Sequence, residues 1–312
     1  MTSIDNILML GDPHLGRQFT TGVPVHRRGE REETLKRDFA ASLSYAAEKG
    51  YDMHVMMGDI FDKFVVAPEI VLWVADLYNL SALAAPETKF VLLRGNHDVS
   101  KNADKCSSFD ILARLIEGQP NVYVVEAAPQ IIDGFGFVGF CEFTPLDDQI
   151  AMLADAEIDT IFTHHDFVDF GGNHVLPTQR LADQGIKTVY NGHDHVRRTE
   201  ERHGVTVHMV GSMQPYTHGE DKTGDLYVTV TLDELANMDV TNKCVRVRLA
   251  EGETLPADVD CLALTAIRDV ADEEESSIEH VDFASLELRT LTTTALDGLS
   301  CKDELMELFN AD

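Results

Sequence analysis

Through about the first 235 residues, short apolar runs alternate with amphipathic stretches. Ile7–Leu10 predicts a strand that Gly11-Asp12-Pro13 ends. Over 31–49, Leu35, Phe39 and Leu43 recur every four residues, which predicts a helix that Gly50 can terminate. Met53–Met57 is the next strand. Pro68 suits the first turn of a second helix, with Ile70, Val74 and Leu77 on one face. Strands follow at Phe90–Leu93, Thr160–Thr163 and Thr188–Tyr190. Val205–Val210 and Leu226–Val230 alternate like strands of an open or hairpin sheet. Strand–helix alternation of this kind favours a layered α/β fold. Beyond about residue 240 the pattern changes: Val245–Leu249 and Leu262–Ile267 read as strands, and Lys302–Phe309 as a short amphipathic helix.

Length and composition change this picture little. The 312 residues, 44% apolar, suffice for one large domain with a smaller appendage, and they exclude general disorder. No apolar run approaches the roughly 20 residues that span a bilayer. The Ile7–Leu10 run is too short for a signal-peptide core, so a soluble cytoplasmic protein is expected, in a host cytoplasm if the chain is phage-encoded. The five cysteines are scattered and form no CxxC pair, which indicates neither a disulfide framework nor a zinc knuckle.

Charge changes it more. The formal net charge is −29, with only 10 lysines against 54 acids. Residues 245–312 alone carry 17 acidic and 5 basic side chains, among them the run Asp272–Glu275, which reads as a solvated loop. Such a surface repels phosphate backbones at long range. A nucleic-acid enzyme of this balance needs metal ions, a confined basic patch or a partner protein. The same balance also suits a salt-rich cellular setting.

The chemistry gathers at strand ends. Five expected strands finish in Gly11-Asp12-Pro13-His14, Gly58-Asp59-Ile60-Phe61-Asp62, Gly95-Asn96-His97-Asp98, Thr163-His164-His165-Asp166 and Gly192-His193-Asp194-His195. Ligands collect at the carboxyl ends of strands in open α/β sheets. Carboxylate, amide and imidazole donors without thiolate fit manganese, iron or zinc. A central carboxylate such as Asp59 can bridge two ions, and two ions about 3.5–4 Å apart can activate a water and stabilise both oxygens of an in-line displacement at phosphorus.

In this order, the five motifs resemble those of the calcineurin-like metallophosphoesterase superfamily across about residues 6–235. The resemblance implies a two-sheet β core flanked by helices, a catalytic domain over 1–238 and a small capping or partner-docking region over 239–312. It implies that Asp12, His14, Asp59 and His195 hold one divalent ion and that Asp59, Asn96, His164 and His193 hold the other, with manganese favoured. His97 would stabilise the transition state or protonate the leaving oxygen, and Asp62 would orient it.

The run from Gly11 to Arg17, the Gly58–Asp62 turn and Gly211-Ser212-Met213-Gln214-Pro215-Tyr216 followed by Gly219-Glu220 are similar to SbcD-type nuclease subunits of double-strand-break repair, phage recombination nucleases included. That branch implies exonuclease and endonuclease action on DNA, a coiled-coil ATPase partner of the SbcC type, and dimers formed through helices of the catalytic domain. On this reading Arg27, Arg28 and Arg31 contact a DNA phosphate, or else form a solvated helix start paired with Glu30, Glu32 and Glu33. Tyr216 and His218 border the substrate, or form a structural turn; His165 supports a neighbouring ligand, faces the substrate or lies on the surface. Asp98 and Asp194 orient neighbouring histidines, or form turns. Two other functions compete: a small-substrate phosphodiesterase or phosphomonoesterase of the same superfamily, which the acidic surface favours, and a weakly catalytic subunit that organises an ATPase. Lys63 after Asp62 argues against a protein phosphatase, where an arginine–glycine pair is usual.

Overall fold

The structure, a computed structural model, describes residues 3–168 and 172–268. The expected acidic loop at 272–275, the helix at 302–309 and most of the expected appendage lie outside the described residues. Residues up to Ile267 form one unit.

A first sheet has the order β1-β2-β3-β4, from β1 (Ile7–Leu10), β2 (Met53–Met56), β3 (Lys89–Leu93) and β4 (Val122–Val125), all parallel. Helices α1 (Glu30–Lys49), α2 (Pro68–Ala84) and α3 (Ser108–Ile116) are its crossovers. Leu35, Phe39 and Leu43 of α1 are buried as their spacing predicts. On α2 the buried stripe is Val71, Val74, Ala75, Tyr78 and Ala82, so the face is rotated from the expected one, with Ile70 and Leu77 at its border. Together with Met56, Phe90 and Leu92 these side chains form the core beneath the helices.

A second sheet has the order β5-β6-β7-β8-β10-β9. It comprises β5 (Gln130–Ile132), β6 (Phe135–Val138), β7 (Thr160–Thr163), β8 (Thr188–Asn191), β9 (Arg198–Arg202) and β10 (Val205–Met209). Strands β6, β7, β8 and β10 run parallel, and β5 and β9 close the edges as antiparallel hairpins. Helices α4 (Leu146–Ala151) and α5 (Thr178–Asp183) cover its outer core. Between the sheets lies a third cluster that joins Met53, Val55, Val91 and Leu93 of the first to Phe137 and Phe162 of the second. The layers are therefore helix, sheet, sheet, helix. Strand β2 is buried along its whole length because both of its faces are covered.

A small third sheet joins β11 (Tyr227–Thr231), β12 (Cys244–Leu249) and β13 (Ala263–Arg268), with the one-turn helix α6 (Leu232–Leu235) after β11. Val205–Val210 and Leu226–Val230, both expected as strands, form β10 and β11 and lie in different sheets. β10 pairs with β8 and β9, whereas β11 pairs in parallel with β12, across the boundary expected at residue 238. Among the described residues no helix is long and apolar enough to cross a membrane.

Candidate metal centre

The two parallel sheets bring the carboxyl ends of β1, β2, β3, β7 and β8 to one edge of the sandwich, and the loops that leave them interlock. His14 and Leu15 donate their amides to the carbonyls of Asp59 and Ile60, and Asp62 donates back to Leu15. Met213 donates to Gly11, and the His193 amide donates to the Asp12 carboxylate at 3.1 Å. Asp12, His14, Asp59 and His193 all have positive φ, between 42° and 69°. They are four of the six non-glycine residues with positive φ among those described. Non-glycine residues held there cost about 1–3 kcal/mol each and persist where surrounding contacts enforce them. Gly95 permits the closest approach: a β-carbon on it would collide with the amide and carboxylate of Asp59.

Seven side chains meet at this edge. His14 Nε2 lies 3.1 Å from His195 Nε2 and 3.8 Å from Asp59 Oδ2. His164 Nε2 lies 3.4 Å from Asp59 Oδ2 and 3.0 Å from Asn96 Oδ1, which is 2.9 Å from His193 Nδ1. His164 Nδ1 is 3.8 Å from Asp12 Oδ1. Three groups converge with donor atoms within 4.8 Å of one another: Asp12, His14 and His195; His14, Asp59 and His97; Asp59, His164 and His193.

The donor set fits cations. Three imidazoles have their outer nitrogen against an oxygen acceptor: His164 Nδ1 on the Met57 carbonyl (2.7 Å), His193 Nε2 on Asp166 (2.8 Å) and His195 Nδ1 on Glu220 (3.3 Å). A proton held on the outer nitrogen leaves a lone pair on the inner one, as in metal-ligating histidines. Asp12 Oδ2 is buried with no hydrogen-bond partner. Burial pushes the Asp12 carboxyl up to about 7. Burial also lowers His14 to about 3, although the Asp59 carboxylate beside it acts the other way, so its imidazole is a neutral donor. Buried charges and lone pairs of this kind call for a counter-ion.

The sequence matches the family model of the calcineurin-like phosphoesterases over residues 6–197. The chain belongs to that family. It is therefore a phosphoester hydrolase of a family that works with two metal ions. Among solved structures it is similar to the TT1561 protein of Thermus thermophilus, at 13% identity over 66% of this chain and 89% of that one, with a TM-score of 0.43. It is also similar to the phosphopantetheinyl hydrolase of Mycobacterium tuberculosis, at 14% identity over 53% and 83% of the two chains, with a TM-score of 0.35. A comparison with curated proteins gives no match.

Around the phosphoesterase centre, His97 is exposed at the mouth, its ring 4.8 Å from that of His14. Its Nδ1 donates to an oxygen of Asp62 at 2.6 Å, but that oxygen is the backbone carbonyl. The expected orienting role of Asp62 is thus corrected from carboxylate to carbonyl. The Asp62 carboxylate instead faces Arg17 at 3.5 Å and His14 Nδ1 at 3.9 Å.

The expected substrate contacts fare differently. Arg27 is buried and committed to Glu30, Asp260 and the Thr241 carbonyl, so it has no free face for a phosphate. Arg28 is exposed beside a surface hollow it shares with Arg37 and Gln214. Arg31 is buried between Phe19 and Tyr227. Tyr216 is buried too, and its hydroxyl donates to the carbonyls of Asp12 and Pro13, so it braces the first metal loop. His165 is buried against Thr163, Phe140 and His174, where burial holds it neutral, and it does not face substrate. Asp98 accepts the amides of Ile60, Phe61 and Gly95 and so ties two metal loops together. Asp194 pairs with Arg198 and caps the Val196 amide, a turn-forming role. Trp73 of α2 packs on the core.

The sequence motifs include Arg17, Asp166 and Glu220 without giving them a role. For Glu220 a signal existed, its place after the Gly211–Tyr216 run; for Asp166, only its adjacency to His164-His165.

Proposed function

We propose that this phosphoesterase is a metal-dependent DNA nuclease that hydrolyses phosphodiester bonds by a two-metal mechanism and acts with a coiled-coil ATPase of the SbcC type. The observation that carries it is the ordered Gly211–Tyr216 and Glu220 segment, which resembles that branch. Here it runs alongside the metal loops, through Met213 on Gly11, Tyr216 on Asp12 and Glu220 on His195.

On this reading Asp12, His14, Asp59 and His195 hold one ion and Asp59, Asn96, His164 and His193 the other; each set pairs two oxygen donors with two imidazoles, which suits manganese, favoured by the family resemblance, and also iron or zinc. The pair of ions supplies Lewis acidity and an activated water for attack at phosphorus. The chain's own contribution at the mouth is His97. With Nδ1 committed to the Asp62 carbonyl, Nε2 is the nitrogen that carries or delivers a proton to the leaving oxygen. Arg17, part-exposed and close to Asp62, offers a guanidinium beside the same mouth.

The net charge of −29 favours a second reading, a phosphodiesterase for small esters, since so anionic a surface approaches DNA poorly unaided. One experiment separates the two. The purified chain with manganese is offered linear DNA, with and without a candidate SbcC-type ATPase, and a chromogenic phosphodiester in parallel. Cleavage of DNA, stimulated by the ATPase, supports the nuclease. Turnover of the small ester alone rejects it, and turnover of neither by metal-loaded protein would leave a scaffolding subunit.

A further inference from the structure

Beside the metal centre is a cavity that hydrolysis itself does not use. Its volume is ≈ 270 Å³, and it opens between the loop after His14, the turn at Tyr216–His218 and strands β12 and β13. Arg17, Arg31 and Arg246 line it, and none of its described lining residues is acidic. That lining is unexpected by chance in a chain with 54 acidic and 25 basic side chains.

Arg31 is the decisive residue. It is 4% exposed. Its Nη1 donates to Tyr227 Oη at 3.0 Å and to Cys244 Sγ at 3.2 Å, and its Nη2 to the Pro215 carbonyl at 3.2 Å. The Phe19 ring lies 4.3 Å from the guanidinium carbon. Every one of these partners is neutral. Nε is buried with no acceptor, and among the described residues no carboxylate pairs with this cation. Of the nearby acids, Glu220 holds His195 and the Tyr216 amide, and Glu32 accepts the Phe19 amide through Oε1 and forms no ion pair with Arg31, its Oε2 being buried without a hydrogen-bond partner. A buried cation without counter-charge is costly, and a guanidinium's planar fork is matched by an anion that presents several oxygens. Arg246 is two residues beyond Cys244 on β12, hence on the same face, and is only part-buried.

The cavity shares a wall with the metal centre. The Tyr216 ring is 5.2 Å from that of His14 and 5.5 Å from that of His195, and Arg17 lies over it at 4.7 Å. Phe19 and Tyr216 are near-parallel, 6.4 Å apart. Arginines with aromatic walls suit a phosphate joined to a flat ring. The volume suits one such unit, not a strand.

We propose that this cavity is a phosphate subsite that takes one phosphorylated nucleotide unit next to the scissile bond. The inference rests on the nuclease reading above and names the part of the substrate that the site selects. The same chemistry admits a free nucleoside monophosphate as a second source of the anion.

Arg31 is also packing, so the test uses Arg246→Glu, with folding checked by circular dichroism. In the binding arm, thymidine 5′-monophosphate and thymidine are titrated calorimetrically into the full chain in chelator, so that no metal competes for the anion. The monophosphate binds saturably, thymidine does not, and Arg246→Glu weakens binding about 10-fold or more. Absent binding, or equal binding by the folded variant, overturns the subsite. In the turnover arm, the manganese-loaded chain is given dithymidylate with and without a 5′-phosphate. A KM about 10-fold lower for the phosphorylated form, lost in Arg246→Glu while kcat on bis(p-nitrophenyl) phosphate is unchanged, makes the anion part of the substrate. Equal KM values with binding retained overturn the substrate source and leave the free monophosphate. If neither dinucleotide is cut while the chromogenic ester is, the nuclease reading fails and the binding arm still decides the cavity.

Discussion

His97 donates through Nδ1 to the Asp62 carbonyl, and this single bond decides how two substitutions differ. His97→Ala removes the proton carrier and should lower kcat about 10²–10⁴-fold with metal content unchanged. Asp62→Asn keeps the carbonyl and should cost less than about 10-fold, a loss too small for a lost general acid. Steady-state kinetics beside metal analysis checks both, and comparable losses would return the orienting role to the carboxylate. His54, wholly buried on β2, makes a separate prediction. Its Nε2 is 3.3 Å from Ser42 Oγ and its Nδ1 has no partner. Burial lowers it to about 4 from 6.5. The folded state thus refuses a proton that the unfolded chain accepts. Stability present above pH 6.5 is lost as pH falls toward 4, by up to about 3 kcal/mol from this residue. Urea midpoints at pH 7 and 4.5 should fall further for the wild type than for His54→Leu; equal falls would show that His54 is protonated in the fold. At this scale the seven donors were legible because each stands at a strand end in a short motif. Backbone partners were not: the Met57 and Asp62 carbonyls leave no mark in residue identity, and neither does the burial that makes Tyr216 and His165 structural.

Elements place these residues only if the loops between them stay tight. Asp98 gathers the amides of Ile60, Phe61 and Gly95, and Gly95 has no room for a side chain over Asp59. Gly95→Ala should therefore cost more than about 3 kcal/mol or expel metal, because backbone must shift to relieve the clash. Thermal unfolding with and without manganese measures it, and a variant with native stability and full metal content would contradict the proposed packing. The longer helices and the five donor-bearing strands were readable from apolar periodicity and from the turns that end them. Strands β4, β5, β6 and β9 and helices α3, α4, α5 and α6 were not expected. β5 and β6 are only 3 and 4 residues long, and β9, Arg198–Arg202, holds charged residues at four of five positions. Their pairing comes from neighbouring strands, not from local pattern. For α3 a signal existed, the Ser107–Asp110 capping box.

The whole molecule sets how substrate arrives. Apolar periodicity could not assign strands to sheets, so the convergence of β1–β3 with β7 and β8 across two sheets rested on the motif order. Net charge was legible at once, and its consequence is testable. In the absence of a partner, long-range repulsion should slow DNA capture. Raising salt from about 10 to 150 mM shortens the screening length from roughly 30 to 8 Å and should raise kcat/KM for DNA, the opposite of a basic nuclease. Turnover of a singly charged small ester should respond much less, and a steep fall of DNA cleavage with salt would instead locate a basic docking face on this chain. The central claim, two cations gripped at one sheet edge, is tested most directly by anomalous diffraction from crystals grown with manganese. Two peaks about 3.5–4 Å apart are expected, one among Asp12, His14, Asp59 and His195 and one among Asp59, Asn96, His164 and His193. A single peak, or manganese bound elsewhere with these side chains bare, would contradict it.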